Sequence, residues 1–410
     1  MHGARRLAAF SICLLVTTAL ATAQAGKKLL FYGNSYSARN GGVGDLVRLL
    51  AIEAGLPAPT IVKRYVSSAD LQYHATDPAQ VAAINSLPIG QRWDFVVMQG
   101  QSLEATAAMG DPALFRASAL QILGNVRNHS PQAKAVMYQT WARAAGHFLY
   151  PGTFPTPRAL QDEIRSNYRL ARGDLEAAYG AGAAIDAAVG DGVALLGWQP
   201  SYYDPDLFHP LPPMTLLAGM CLFTAIYGVR VCPLAPDFTG NGQLVSWLTG
   251  LGIGRTAWDE MAGLADLCAA RNVRPFPGSS DQLTLESGVA PGNIGTCAAH
   301  AVGLGSLLTL RVSSRNGVYT NAPALLLVNV FPNGAPPLPS ATWPELRIDV
   351  GSMLVLLQAT SLQQPLGLAL PLPFSFPGAS VLVQGVALAP STVTGNPQLT
   401  TTEGCLLVFQ

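Results

Sequence analysis

A serine hydroxyl stands just past the first predicted strand of the chain. Apolar residues over 28–33 predict a buried strand, and Ser35 follows Gly33 and Asn34. In open α/β sheets, ligands bind beyond the carboxyl ends of the strands, so this position suits a functional side chain. Gly33 lets the backbone turn sharply, which would leave the Ser35 hydroxyl exposed and its N–H free. Ser35 is therefore a candidate nucleophile, and the alternative interpretation is a serine that caps a helix.

An aspartate and a histidine three residues apart could complete a hydrolytic site. Asp206 and His209 precede an apolar stretch at 212–227 that predicts a buried helix. A serine nucleophile needs a base to take its proton, and the base needs a carboxylate to orient it. The neighbouring Asp204 opens a second interpretation, in which Asp204 and Asp206 form a metal site or a glycosidase carboxylate pair. The adjacent histidine favours the serine–histidine–aspartate arrangement.

Short apolar runs alternate with helical patterns over the first two thirds of the chain. Strands are predicted at 28–33, 60–66, 94–98, 133–138 and 183–189. Helices are predicted at 43–53, 78–86, 112–128, 157–179, 212–227 and 256–270. This alternation is typical of parallel βαβ units, and it predicts an α/β fold with helices on both faces of a parallel sheet.

The composition changes near residue 275. Charged residues become fewer, and the apolar runs at 306–312, 324–330, 353–357 and 381–387 are separated by Gly, Pro, Asn and Ser. This pattern predicts an all-β sandwich with tight turns. We therefore expect a signal peptide at 1–25, an α/β domain at 26–272, a linker at 273–280 and a β-sandwich accessory domain at 281–410.

The N-terminus predicts export. Arg5 and Arg6 precede an apolar run and the small residues Ala23-Gln24-Ala25, which is the layout of a secretory signal peptide. The run is short for a bilayer, so an uncleaved anchor is the alternative and no membrane span is expected in the mature chain. We expect a secreted protein, or one of the cell envelope or periplasm. The 24 basic residues balance the 24 acidic ones, which argues against a nucleic-acid partner.

Five segments resemble the motifs of the SGNH (GDSL-like) hydrolases, in the order of that family. They are LLFYGNSYS, SSADLQYH, DFVVMQGQS, YQTWAR and DPDLFHP, and the resemblance covers roughly 27–274. More specifically, the pattern resembles an uncharacterised secreted bacterial subgroup. The resemblance implies a three-layer flavodoxin-like α/β fold and an esterase, deacetylase or lipase that needs no cofactor. It makes Ser35 the nucleophile, His209 the general base and Asp206 its orienting partner. The chain has no Cys/His cluster, so no metal site is expected.

The resemblance also implies an oxyanion hole. The Ser35 N–H supplies one donor, and the second motif of the family supplies a glycine N–H. Ser68 stands in the matching segment here, so its N–H is the candidate second donor. The family's third motif supplies an asparagine side chain, for which Gln99 is the candidate and Gln101 the second choice; the alternative is that both are turn residues. Three side chains are candidate substrate contacts: Gln101, His74 and Trp141.

The predicted function is a secreted serine esterase or acetylesterase that acts through an acyl-enzyme. Its expected partner is a small ester or an acetylated glycan, and the C-terminal domain is expected to contact a glycan or the cell surface. The alternative is a catalytically degenerate SGNH-like domain joined to a β-sandwich, which would act as a binding or cell-surface structural protein.

Overall fold

A computed structural model describes most of the chain beyond the predicted signal peptide. The described residues are 25–234, 236–269, 278–279, 281–290, 294–295, 299–314, 317–332, 337, 342–343, 345–372 and 378–409. Except for Ala25, Gly278 and Ser279, the predicted signal peptide and linker lie outside these ranges. None of the described helices combines the length and apolar character that crossing a bilayer requires.

The first five strands form one parallel sheet. They are β1 to β5, at Lys28–Gly33, Thr60–Tyr65, Phe95–Met98, Lys134–Tyr138 and Ala184–Ala187. The strands lie in the order β2-β1-β3-β4-β5, and every neighbouring pair is parallel. This order is that of flavodoxin-like sheets, so the predicted fold class is confirmed.

Ten helices of the described part of the chain surround this sheet. They are α1 to α10, at Ser35–Ala38, Val43–Glu53, Leu71–Thr76, Pro78–Ala82, Pro112–His129, Pro157–Tyr179, Val189–Leu195, Pro212–Tyr227, Gln243–Gly250 and Arg255–Cys268. Helices α2 and α10 pack on α8, while α3 and α6 pack on α5, which gives two helical layers. Helices α1, α3, α7 and α9 were not predicted, because they are too short to show a clear helical period.

The order of the strands opens a crevice above β1 and β3. The chain moves from β1 to β2 on one side and from β3 to β5 on the other. Right-handed crossovers therefore place α2 and α5 on opposite faces of the sheet. The carboxyl ends of β1 and β3 flank this switch point, where open α/β sheets bind ligands. Ser35 begins α1 beyond β1, and Gln99 follows β3.

Helix α8 is apolar at nearly every position because it is covered on both sides. It packs against α2 and α10, and thirteen of its sixteen residues are buried. Such burial holds the helix firmly in place. The segment that carries Asp206 and His209 ends at the first turn of α8, and this helix therefore anchors that segment.

The C-terminal region consists of two packed β-sheets. Its strands are β6 to β14, at Leu283–Val289, Ala299–Val302, Leu307–Ser314, Ala324–Pro332, Leu354–Ala359, Leu366–Pro371, Ala379–Ala387, Thr400–Thr401 and Cys405–Phe409. One sheet has the order β10-β9-β12-β14-β7 with β13 paired to β12, and the other has the order β11-β8-β6. The pairs are antiparallel except for β14 with β7. Leu310, Leu326 and Leu407 from both sheets share one apolar core, which confirms the predicted sandwich.

Candidate active site

The structure brings Ser35, His209 and Asp206 into one hydrogen-bonded chain. The Ser35 hydroxyl donates to His209 Nε2 at 2.8 Å, and His209 Nδ1 lies 2.6 Å from Asp206 Oδ2. An ionised carboxylate can only accept, so the imidazole carries its proton on Nδ1 and presents a lone pair to Ser35. This arrangement can remove the serine proton as the oxygen attacks an acyl carbon.

A tight loop fixes the aspartate beside the histidine. Asp206 Oδ1 accepts from the N–H groups of Phe208 and His209 at 3.0 and 2.9 Å, which leaves Oδ2 for the ring. Leu207, at the tip of the loop, has a φ of 63°. Backbone strain of this kind persists where the surrounding structure imposes it, and it is common at functional sites.

The carboxylate of Asp206 is held in its charged form. Burial alone would raise its pKa, but the hydrogen bonds from the His209 ring and from the N–H groups of His209 and Phe208 outweigh it and lower the pKa. Asp206 therefore remains ionised at neutral pH and can stabilise an imidazolium.

Two contacts bind the serine segment to the histidine loop. Arg39, just after α1, forms an ion pair with Asp204. The Asn40 side chain donates to Pro210 O at 2.9 Å and to Thr215 Oγ1 at 2.9 Å. The partner of Asp204 is therefore Arg39, and Asp204 does not form a carboxylate pair with Asp206. In the described part of the chain, no group of three or more His, Cys, Asp or Glu side chains could hold a metal ion.

The structure corrects the predicted role of Gln99. Its side chain is fully buried, and its Nε2 donates to Asn34 Oδ1 at 2.9 Å and to Gly100 O. Its Oε1 accepts from the Asn34 N–H at 3.1 Å and from the Ser37 hydroxyl at 2.7 Å. Both amide hydrogens are used inside the protein, so Gln99 holds the serine segment instead of facing an oxyanion.

Asn34 connects the three segments that surround the crevice. Its Nδ2 donates to Ala69 O at 3.0 Å and to Gly100 O at 3.3 Å, and its Oδ1 accepts from the Tyr36 N–H at 3.1 Å. This role could not be predicted from the sequence, because any small polar residue could follow β1. Gly33 is required here for space, since a Cβ would lie 2.5 Å from Ser37 Oγ.

Two backbone N–H groups that were predicted as oxyanion donors are unbonded in the described structure. The N–H groups of Ser35 and Ser68 make no hydrogen bond within the described residues. The Ser35 N–H is at the first position of α1, where helical N–H groups lack intrahelical partners. Ser68 has a φ of 60°, the left-handed conformation that glycine adopts most readily. Serine thus occupies the backbone conformation of a glycine at this position.

The three candidate substrate contacts lie in different surroundings. His74 is buried, with Nε2 3.1 Å from Gly33 O, so it supports the end of β1 and cannot face substrate. Trp141 is also buried; its ring stacks on Tyr36 at 4.3 Å and its Nε1 donates to Phe208 O at 3.2 Å. These two predictions are corrected, because both rings pack inside the domain. Gln101 lines a cavity of about 280 Å³, and its role stays a prediction.

A buried arginine that the sequence analysis missed lies across the site. Arg143 is 7% exposed, and its guanidinium donates to Tyr36 Oη at 2.5 Å and to Ser102 Oγ at 2.9 Å. It also lies over the Phe208 ring, 4.4 Å from the centroid. Arg143 therefore joins the segments that carry Ser35 and His209. Its position just after β4, at the carboxyl end of the sheet, was the signal that could have identified it.

Replacing Arg143 by lysine should lower kcat by about 10- to 100-fold and leave KM nearly unchanged. Lysine keeps the charge but cannot bind Tyr36 and Ser102 in the same fork, and each lost charged hydrogen bond costs about 1.5–3 kcal/mol. Steady-state kinetics on a soluble ester measures the effect, with the exposed Arg48→Lys as control. An unchanged kcat in the Arg143 variant would contradict this positioning role.

Glu104 should make the stability of the protein depend on pH. Burial raises its pKa to about 8, although the N–H groups of Gln101 and Leu71 that donate to it lower this value. The unfolded chain loses this proton near the ordinary pKa of about 4.5, so unfolding releases a proton between these values. The stability that Glu104 contributes is therefore fully present below pH 4.5 and is lost as the pH rises through about 8.

The Glu104→Gln variant isolates this effect, because a neutral amide cannot release the proton. Thermal unfolding from pH 4 to 9 should show a smaller loss of Tm for the variant than for the unchanged chain as the pH rises. If Tm falls equally with pH in the variant and in the unchanged chain, Glu104 is not the group responsible.

Comparison with known proteins finds similarity at the level of the fold. No protein-family model matches the chain, and no curated relative matches it. A candidate SGNH hydrolase from Slackia heliotrinireducens is 20% identical with a TM-score of 0.39, covering 49% of this chain and 99% of its own. A DUF4886 family protein from Bacteroides uniformis is 15% identical with a TM-score of 0.41, covering 55% and 93%. An acetylxylan esterase from Geobacillus stearothermophilus is 13% identical with a TM-score of 0.36, covering 50% and 95%. Because these values are low, the chemistry of the site is inferred from the geometry of this chain.

Proposed function

We propose that this chain is a serine esterase that acts through an acyl-enzyme, with Ser35 as nucleophile. The observation that supports this most directly is the Ser35–His209–Asp206 chain, with distances of 2.8 and 2.6 Å between its hydrogen-bonding atoms. The crevice at the switch point of the sheet supports it further, because it is the general ligand position of such folds.

The proposed reaction has two balanced halves. His209 Nε2 takes the hydroxyl proton as Ser35 Oγ attacks the ester carbon, and the alcohol then leaves with that proton. Water next gives a proton to His209 and attacks the acyl-serine, which releases the acid and returns the proton to Ser35. Asp206 stays ionised and balances the charge of the imidazolium in both halves.

Backbone N–H groups would stabilise the oxyanion in this reaction. The unbonded N–H groups of Ser35 and Ser68 are the proposed donors, and each such donor contributes roughly 3 kcal/mol of transition-state stabilisation. Gln99 would position the Ser35 segment without contacting the oxyanion, because its Oε1 accepts hydrogen bonds from the Asn34 N–H and the Ser37 hydroxyl.

We propose an O-acetyl group on carbohydrate as the substrate, and export as the destination. The proposal of export rests on the N-terminal signal pattern. Cys232 is disulfide-bonded, which fits an oxidising compartment. The sandwich domain is proposed to contact a glycan or the cell surface.

The decisive experiment combines turnover and labelling of the purified full-length chain. Hydrolysis of p-nitrophenyl acetate and covalent labelling by a fluorophosphonate at Ser35, located by peptide mass mapping, are the expected results. Release of acetate from an acetylated glycan would then identify the substrate class. A chain that neither turns over p-nitrophenyl acetate nor takes the label would contradict the proposal.

The competing proposal is a degenerate domain that binds without catalysis. It is favoured by one observation: Gln99, the first-choice side chain of the third motif, uses both amide hydrogens internally and cannot donate to the oxyanion. Retention of glycans on an array, without any labelling by the fluorophosphonate, would favour this function over the esterase.

A further inference from the structure

A second cavity lies between the α/β domain and the β-sandwich. It has a volume of about 510 Å³ and is lined by one face of α6 together with Trp198, Gln282 and Thr392. Gln282 Nε2 donates to Ala194 O at 3.2 Å, and Arg158 Nη1 donates to Thr392 Oγ1 at 3.2 Å, so both domains form its walls. None of the three triad residues lines it. The volume is that of a small-molecule site.

Five buried side-chain atoms around this cavity make no hydrogen bond with the protein. Three are donors, on Arg158 Nη2, Arg172 Nε and Trp198 Nε1, and two are acceptors, on Asp186 Oδ1 and Gln282 Oε1. Trp198 and Gln282 are only 8% and 6% exposed. Arg172 Nε lies 3.8 Å from Glu176 Oε2, so it already has an ionic partner. Buried polar groups in native proteins are nearly always bonded, so the other four atoms require a polar occupant.

The charge around the cavity selects against an ion. Four arginine and four aspartate side chains line it, so their formal charges cancel. Arg165 is paired with Asp162 and Asp191, and Arg172 with Asp186. A lining whose formal charges cancel gives no net attraction for an anion or a cation, and a neutral polar molecule needs none.

The mixture of free donors and acceptors indicates hydroxyl groups. A hydroxyl donates one hydrogen bond and accepts up to two, so two or three neighbouring hydroxyls can satisfy these four atoms. An ionised carboxylate offers acceptors only and would leave Asp186 and Gln282 unbonded. We propose that the interdomain cavity binds a neutral sugar unit, held by Arg158 and Trp198 as donors and by Asp186 and Gln282 as acceptors.

The test measures direct binding to the full-length chain, by isothermal titration and ligand-observed NMR. The probes are glucose, xylose, N-acetylglucosamine, cellobiose and xylobiose, with glucuronate and inorganic phosphate as anionic comparisons. At least one neutral saccharide should bind at millimolar concentration. Trp198→Phe removes the indole N–H, and Arg158→Met removes the whole guanidinium, including its hydrogen bond to Thr392. Each variant should weaken binding by about 3- to 10-fold. The exposed Arg48→Met is the control and should bind as the unchanged chain does.

The saccharide-binding test can succeed or fail independently of the esterase proposal. Binding of a neutral saccharide that weakens in both cavity variants supports the sugar site. No binding at tens of millimolar, binding of glucuronate or phosphate alone, or unchanged affinity in both variants overturns it. The Ser35→Ala chain should bind the same saccharide equally, because its hydroxyl does not line the cavity, so loss of hydrolysis leaves this result intact.

Discussion

Replacing Ser35 by alanine should reduce ester hydrolysis by about a million-fold, to the level that binding and backbone donors alone provide. The variant lacks the hydroxyl that His209 Nε2 contacts, so no acyl-enzyme can form at this position. Turnover of p-nitrophenyl acetate and labelling by a fluorophosphonate measure this loss, and both should fall to background.

A matched control separates chemistry from folding. Ser246 is exposed on α9, far along the chain from the triad, and Ser246→Ala should keep full activity. Thermal unfolding of the Ser35→Ala chain should differ little from that of the unchanged protein, because only one hydroxyl is lost. Activity that persists in a folded Ser35→Ala chain would reject Ser35 as the nucleophile.

Replacing His209 by alanine should cause a loss of similar size, again about a million-fold. Without the imidazole, the Ser35 hydroxyl loses the base that it contacts among the described residues, and an unactivated serine hydroxyl is a poor nucleophile. Labelling should disappear in this variant although Ser35 itself is intact. Asp206→Asn should lose about ten-thousand-fold, because the amide favours the wrong imidazole tautomer.

His129 supplies the matched control for this variant. It lies at the end of α5, where its ring contacts Ser130 Oγ at 3.1 Å, and His129→Ala should retain activity and labelling. A His209→Ala chain that still takes the label at the normal rate would show that another group activates Ser35. The graded losses at Ser35, His209 and Asp206 together would establish the triad as one unit.

The predicted elements most accurately located are those with a long, regular pattern. Helices α2, α6 and α8 begin and end at the predicted residues. The apolar period of α2 and α6 and the continuous apolar run of α8 each extend over several turns. The fifth strand is shorter than predicted, because Val189 begins α7 instead of ending β5. Apolar residues near a boundary fit both a buried strand and a buried helix, so the pattern could not separate them.

The partners of the buried polar side chains could not be predicted. Gln99 bonds to Asn34 across 65 residues, and Arg143 reaches Tyr36 across 107 residues. Such pairs depend on which strands become neighbours, and local patterns carry no information about strand order. For that reason Gln99, His74 and Trp141 were identified as important residues but were given the wrong surroundings.

By itself, the sequence determined the class of both domains and singled out the three residues of the proposed triad. Strand periods, a serine beyond a strand end, and an aspartate three residues before a histidine are local properties that the chain carries before it folds. Only the tertiary structure decided that Ser35 and His209, 174 residues apart, lie 2.8 Å from each other, and that an interdomain cavity exists. The physical reason is that hydrogen bonds and packing act over a few ångströms of space, and the order of the strands sets which distant residues come that close.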